Sequence, residues 1–341
     1  MLQGCALTLS QIPLTDRTRL TMHRRDVLQA FGVAALGSMG LGAAAHDFSK
    51  GPVRILTPYD PGSTVDITSR MVAEGLSKRL GQTVIVENRP GGHGSIGMNA
   101  LLSAPANGYT LLTDTPASAI NPSLYKSRYD PAKDLAPVAQ LLSLPFAIAV
   151  APSVPAQTIG ELVALGKAKP GSLNAAVAGT STRLAGELFS MQAGVTFMPI
   201  PYKGAMSAMQ SVMRGETQVV FLDAANLAPF VESGAMRGLL ITGDKRWSAL
   251  SQVPTAREAG YPGFDVGTWF GMFARAGTPQ AILDQLNEAI REAMASPALE
   301  KYLRQRGAQA SQRTSSEFKT FFNQEINRWR DVIVKADIKV E

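Results

Sequence analysis

The chain carries one order of elements twice, strand–helix–strand–helix–strand, and this doubling restricts its fold more than any composition figure does. In the first copy the apolar runs Val53–Leu56, Val84–Glu87 and Tyr109–Thr113 alternate with amphipathic stretches at Thr64–Leu80 and Ser95–Leu102. In the second, Leu173–Val177, Val195–Pro199 and Gln218–Leu222 alternate with Thr182–Gln192 and Ala205–Arg214. Strands separated by helices imply right-handed crossovers and parallel pairing, with helices over both faces. The expected fold class is therefore α/β, with two lobes, each a doubly wound sheet. Between the copies lies the apolar run Leu141–Ala151, and after the second comes Phe264–Ala274, ending at Gly277-Thr278-Pro279. Both are read as extended strands crossing between lobes. Helices at Pro279–Ala295, Pro297–Arg306 and Ser316–Lys335 complete the chain. Two crossings make a hinge, and a hinge makes a cleft. Lobe one is expected at 46–143 plus 268–341, and lobe two at 144–267.

Open α/β sheets bind ligands at the carboxyl ends of their strands, so the turn after the first strand of each lobe is where a site belongs. In lobe one the strand stops at Pro58, turns through Tyr59-Asp60-Pro61-Gly62 and enters a helix. Ser63 with Asp66 three residues later has capping-box spacing. Ile67, Met71, Leu76 and Leu80 form one face of that helix, and Arg70, Glu74 and Lys78 an i,i+4 charge ladder on another. A helix N-terminus after a glycine turn offers N–H groups and the positive dipole end to an anion. Tyr59, Gly62, Ser63, Thr64 and Asp66 are the ligand-binding candidates here, with Asp66 expected to shape the turn and not required to touch an acid that its own charge would repel.

In lobe two the equivalent turn is Ala178-Gly179-Thr180-Ser181-Thr182-Arg183. Arg183 falls in a first turn, where a cation opposes the dipole. A bound anion would remove that conflict and use the bidentate guanidinium; a solvated surface arginine is the alternative. Two anion-competent loops facing across a hinge suggest a pincer for a small acid. Tyr202, in Tyr202-Lys203-Gly204, and Asp223, after the strand Val219–Leu222, are further candidates at strand ends. Each has a plainer reading, as packing for the tyrosine and as a helix cap for the aspartate.

The segment Asn88–Gly97 offers a competing function. Gly92, Gly94 and Gly97 satisfy G-x-G-x-x-G between a strand and a helix, and Asp114 follows 17 residues beyond Gly97. That pattern marks nicotinamide-dependent oxidoreductases. Against it, Arg89-Pro90 lengthen the turn where the first glycine should follow the strand directly, so the glycines are read as letting this loop pass close to the Ile55–Asp66 turn. A hydrolase could be assembled on paper from His93, a serine and Asp114, but no G-x-S-x-G elbow exists.

Composition narrows the field further. The net charge of +6 is dispersed, without basic blocks or interleaved aromatics, which argues against a nucleic-acid surface. Arg24-Arg25 precede the uncharged run Val27–Ala45, rich in glycine and alanine and ending Ala43-Ala44-Ala45. This is the layout of an export signal, residues 1–45, in the style of a twin-arginine leader, with Met22 a natural true start. A retained anchor is the competing reading, although Gly- and Ala-rich runs make weak spans. Cys5, the single cysteine, lies within the leader, and only His46 and His93 remain after it. Disulfides, thiolate sites and histidine-rich metal sites are thereby disfavoured; no cofactor, metal or catalytic residue is expected.

Several motifs together resemble a known family. Pro61-Gly62-Ser63-Thr64-Val65-Asp66, Leu80-Gly81-Gln82, Val86-Glu87-Asn88-Arg89-Pro90-Gly91 and Asn107-Gly108-Tyr109-Thr110-Leu111-Leu112 are similar to the substrate-binding receptors of tripartite tricarboxylate transporters, the Bug receptors. Pro201-Tyr202-Lys203-Gly204, Val253-Pro254-Thr255 with Glu258-Ala259-Gly260, and Trp269-Phe270-Gly271 extend the collinear match over nearly the whole exported chain. The resemblance implies a two-lobed periplasmic binding protein of type II. It would bind a small organic acid without catalysis and act as a monomer with integral membrane transporter subunits. It also implies ligand loops at Gly62, Ser63, Thr64 and Asp66, at Gly179 to Arg183, and at Thr115-Pro116-Ala117, so Thr115 and Ala117 join the candidates. The chain departs from the family in having Pro-Gly-Ser before the helix, where Pro-Gly-Gly is common, and Arg183 where a histidine is common. The second departure suggests a more anionic or differently placed acid.

Overall fold

The structure is a computed structural model that describes residues 48–125, 127–335 and 337–338. The export leader, with Cys5, His46 and the expected cleavage after Ala45, lies outside the described residues. Along the chain come β1 (Val53–Thr57), α1 (Thr64–Leu80), β2 (Val84–Asn88), α2 (Ser95–Leu102), β3 (Thr110–Asp114), α3 (Ala117–Leu124), α4 (Pro131–Asp134) and β4 (Leu135–Val150). There follow α5 (Ile159–Ala168), β5 (Asn174–Val177), α6 (Thr180–Ala193), β6 (Met198–Pro201), α7 (Ala205–Met213), β7 (Val219–Asp223), α8 (Ala224–Glu232) and β8 (Arg237–Ile241). The chain finishes with β9 (Gly267–Arg275), α9 (Gln280–Met294), α10 (Pro297–Gln305), β10 (Gln309–Ala310) and α11 (Ser315–Lys335). Among the described residues no helix is long and apolar enough to cross a membrane.

The doubling seen in the sequence becomes a doubling of topology. Strand order is β2-β1-β3-β9-β4-β7-β5-β6, with β8 and β10 also paired to β4. β1 lies between β2 and β3, parallel to both; β5 lies between β6 and β7, again parallel. Each lobe thus puts its first strand inside a parallel trio, and that strand feeds a helix N-terminus from its carboxyl end.

One strand serves both lobes. β4 pairs with β9 from Leu135 to Pro145 and with β7 from Phe146 to Val150. The second crossing is shorter, because β9 begins at Gly267 and pairs only with β3 and β4. Where the crossings meet, the buried Thr242 hydroxyl accepts from the Phe146 N–H at 2.9 Å and donates to the Val266 carbonyl. Gly267 is required there: a Cβ would stand 2.4 Å from the Leu144 carbonyl oxygen, a backbone atom that cannot move aside.

Lobe one is closed underneath by an aromatic cluster of Trp269, Phe273, Phe318 and Phe322, packed on Leu56 and Leu112. Its polar centre is Glu325, 6% exposed. Glu325 Oε2 accepts from the indole N–H of Trp269 at 2.9 Å and of Trp329 at 3.1 Å. Leaving a buried donor unpaired costs about 1–3 kcal/mol, so Glu325→Leu is expected to destabilise the fold by about 2–5 kcal/mol in urea unfolding. Glu325→Gln, which keeps an acceptor, should recover most of that. Equal losses in the two variants would assign the effect to the charge instead.

The expected strand at Val195–Pro199 appears later, at Met198–Pro201. Gly194, in the left-handed conformation with φ 60°, ends α6. Val195 and Phe197 then serve as buried packing on the way back to the sheet.

Candidate functional site

The two β–α turns face each other across a cleft of about 360 Å³. Lobe one supplies Pro58, Tyr59 and Asp60 from the β1–α1 turn, and Pro90, Gly91, His93 and Gly94 from the β2–α2 loop. Thr115, Ala117 and Asn121 extend this wall, while Ala178, Gly179, Thr180, Ser181 and Lys203 form the lobe-two wall; Thr268 of β9 closes the base.

The β1–α1 turn is held from behind. Asp66, 2% exposed, accepts from the Gly62 N–H at 2.9 Å, Asn88 Nδ2 at 2.9 Å and Arg70 Nε at 3.1 Å. Burial pushes its carboxyl pKa up, but hydrogen bonds from Arg70, Gly62 and Asn88 outweigh this and hold it below the ordinary value. Ser63 Oγ accepts from the Asp66 N–H at 3.2 Å, capping α1. Asn88 Nδ2 also donates to the Tyr59 carbonyl at 3.0 Å. Gly62, Ser63, Thr64 and Asp66 therefore build the frame of the turn, and none of the four is among the residues lining the cleft.

Beneath the cleft, Tyr59 OH donates to Asp114 Oδ1 at 2.9 Å and lies 2.6 Å from Thr115 Oγ1. The Thr115 N–H donates to the same carboxylate oxygen at 2.8 Å. Asp114 is 3% exposed, and burial pushes its pKa up to about 7 against those two hydrogen bonds. Burial, reinforced by the Asp114 charge, also raises the Tyr59 phenol well above its ordinary value.

In lobe two, α6 starts after Gly179 without a side-chain cap. The N–H groups of its first turn, at Thr180 and Ser181, therefore stay available at the cleft. Thr182 ties the loop instead, its Oγ1 accepting from the Ala178 N–H at 3.0 Å and donating to the Gly179 carbonyl at 2.9 Å. Arg183 does not line the cleft. Its charge acts on Glu187, one turn along α6, where burial raises the carboxyl pKa and Arg183 opposes the rise. Tyr202 packs against the core while its N–H donates to the Val177 carbonyl at 2.9 Å. Asp223 caps α8, accepting from the Asn226 N–H at 3.0 Å and from Asn226 Nδ2 at 2.7 Å, with its pKa raised by burial. Of the fourteen sequence candidates, the cleft brings together Tyr59, Thr115, Ala117, Gly179, Thr180 and Ser181.

The glycine-rich loop leaves β2, an edge strand of the order, rather than the central first strand of a dinucleotide fold. A Cβ on Gly97 would stand 3.1 Å from Pro58 Cβ, so these glycines bring the loop against the β1–α1 turn. The sequence matches the tripartite tricarboxylate transporter family receptor over residues 68–338. The chain belongs to this family. BugT of Bordetella pertussis is 32% identical over 94% of this chain and 100% of its own length. The solved structure of R. palustris Rpa4515 with adipate is 31% identical, with a TM-score of 0.78 over 86% of this chain and 99% of that one. MatC from Rhodopseudomonas palustris with bound malate is 28% identical, with a TM-score of 0.75 over 84% of this chain and 100% of that one. The chain is thus a solute-binding receptor with a periplasmic-binding-protein fold, and the oxidoreductase alternative finds no support.

The receptor's cleft also contains residues that were not among the ligand-binding candidates. Asp60 and Lys203 sat inside quoted motifs and give the two walls opposite charges. His93 lies in the glycine loop, held in the left-handed region at φ 55°. Its ring stacks on Tyr125 with centroids 4.4 Å apart, and its carbonyl accepts from Asn121 Nδ2 at 2.7 Å. Asn121 and Thr268 carried no sequence signal.

Proposed function

We propose that this receptor works in the periplasm, closing its lobes on a small mono- or dicarboxylate and presenting it to integral membrane subunits of a tripartite tricarboxylate transporter. The observation that carries this reading is the lobe-two wall. The uncapped N-terminus of α6 and the Lys203 ammonium offer an anion N–H donors, a dipole and a full charge. Hydrogen bonds to a charged group contribute about 1.5–3 kcal/mol each, enough for two or three to fix a carboxylate. The bound adipate and malate of the two R. palustris structures support the class of solute.

The remaining parts follow from the same reading. The lobes divide at 143/144 and 267/268, so that β4 and the approach to β9 act as hinge. Residues 1–45 form a twin-arginine leader removed after Ala45, and the exported chain acts as a monomer. Tyr59, Thr115, Ala117, Gly179, Thr180 and Ser181 meet the solute directly. Gly62, Ser63, Thr64, Asp66 and Thr182 hold the loops in shape, while Arg183, Tyr202 and Asp223 support from behind.

A thermal-shift screen on protein stripped of co-purified ligand tests the proposal. Short carboxylates should raise the melting temperature, and their primary amides should not. A ligand at a hundred times its dissociation constant stabilises by about 2.7 kcal/mol, well within reach of the assay. Equal shifts with acids and amides would remove the anion from the argument.

A further inference from the structure

The two walls of the cleft are chemically unequal. Lobe two presents donors: the first turn of α6, the hydroxyls of Thr180 and Ser181, and Lys203. Lobe one adds two acceptors beside the Thr115 hydroxyl and the His93 ring. Asp60 is an exposed carboxylate at the cleft. Asn121 is 8% exposed and lines both the cleft and a second hollow of about 140 Å³ behind it. Its amide nitrogen is committed to the His93 carbonyl at 2.7 Å, which fixes the orientation of the amide. Its Oδ1 is left buried with no hydrogen-bond partner among the described residues. Asp114 lines the same hollow.

We infer that the cognate solute is a carboxylate whose other end carries hydrogen-bond donors, a hydroxyl or a protonated amine, directed at Asp60 and Asn121. The inference rests on the carboxylate reading above and narrows it. A symmetric diacid would set its second anion against Asp60 and leave the Asn121 acceptor unpaired. Both are penalties that discriminate between otherwise similar ligands. A donor-tailed acid satisfies the two walls at once, with its anion on α6 and Lys203. The hollow, lined by Asn121 with His93, Tyr125 and Tyr129, would receive the polar end.

The test is titration calorimetry on stripped receptor with two matched series. One is hexanoate, adipate, 6-hydroxyhexanoate and 6-aminohexanoate; the other is butyrate, succinate, 4-hydroxybutyrate and 4-aminobutyrate. In at least one series a donor-tailed acid should bind about tenfold or more tighter than both the diacid and the plain acid. Asp60→Asn, a substitution at an exposed position, should then improve the diacid. It should weaken the amino acid more than the hydroxy acid if the natural tail is an ammonium, and affect both alike if it is a hydroxyl. Diacids binding ahead of donor-tailed acids, or an Asp60→Asn variant with unchanged preferences, overturns this inference and leaves the carboxylate receptor standing. Failure of every acid in both series overturns the carboxylate reading itself.

Discussion

Lys203→Glu is expected to weaken capture of the cognate acid by about 100- to 1000-fold, the largest loss from any single exposed residue of the cleft. Two effects add. The ammonium that attracts the carboxylate disappears, and a carboxylate of the same charge as the solute takes its place at the mouth of the α6 N-terminus. Lys203→Ala removes only the first and should lose about tenfold. Folding should be untouched, since Lys203 is exposed and follows a β6 edge. Much of the loss should appear in the association rate and shrink as salt is raised, because an exposed charge steers encounter over about a Debye length. Stopped-flow binding at two ionic strengths measures both. Arg183→Ala, by contrast, should lose less than Lys203→Ala, because Arg183 is not among the residues lining the cleft and exerts its charge on Glu187. A Lys203→Glu variant that binds within threefold of the parent would leave the backbone N–H groups of α6 as the whole of the anion site.

The fold was legible where local chemistry and topology agree. The strand–helix alternation specified both parallel trios, and the Ser63–Asp66 spacing specified the α1 cap down to the hydrogen bond between them. The hold of Asp66 on its own turn, through the Gly62 N–H, follows from an acid placed in the first turn of a helix. β4 is longer than the apolar run Leu141–Ala151 because Pro137 and Gln140 interrupt the pattern. The structure absorbs both with register shifts against β9 at those points. α3 was hidden by Pro122, which cannot donate to the carbonyl four residues back. That carbonyl, on Ser118, accepts instead from Tyr129 OH at 3.1 Å, a partner supplied from outside the helix that no local pattern announces. Asn121, one residue before that proline, was hidden with it. The frame around Arg183 was legible in principle: four residues separate it from Glu187, so the two share a helix face. Which face meets the cleft depends on how α6 is rotated over the sheet, and that is set by tertiary packing. The cleft roster is therefore mostly a product of loop approach, with His93 and Lys203 brought together from different lobes, and sequence order carries no distance between them.

Asp114→Asn should stabilise the ligand-free receptor at pH 8 by about 2–4 kcal/mol while changing little at pH 4. The carboxyl is 3% exposed and titrates at about 7 in the fold, against an ordinary value of 3.8. Below the ordinary value it is protonated in both folded and unfolded chains and contributes no pH dependence. Between that value and about 7 the unfolded chain has lost the proton and the folded chain still holds it. Raising the pH across this window therefore favours unfolding, and the deficit is complete above about 7. A shift of one unit corresponds to 1.36 kcal/mol, which bounds the deficit near 4 kcal/mol. Asparagine cannot ionise, yet its Oδ1 can still accept from Tyr59 OH and the Thr115 N–H, so the floor of the cleft keeps its shape. Urea unfolding of parent and variant at pH 4, 6 and 8 gives the comparison directly. A gap between the two proteins that stays constant over that range would show that Asp114 does not titrate in it.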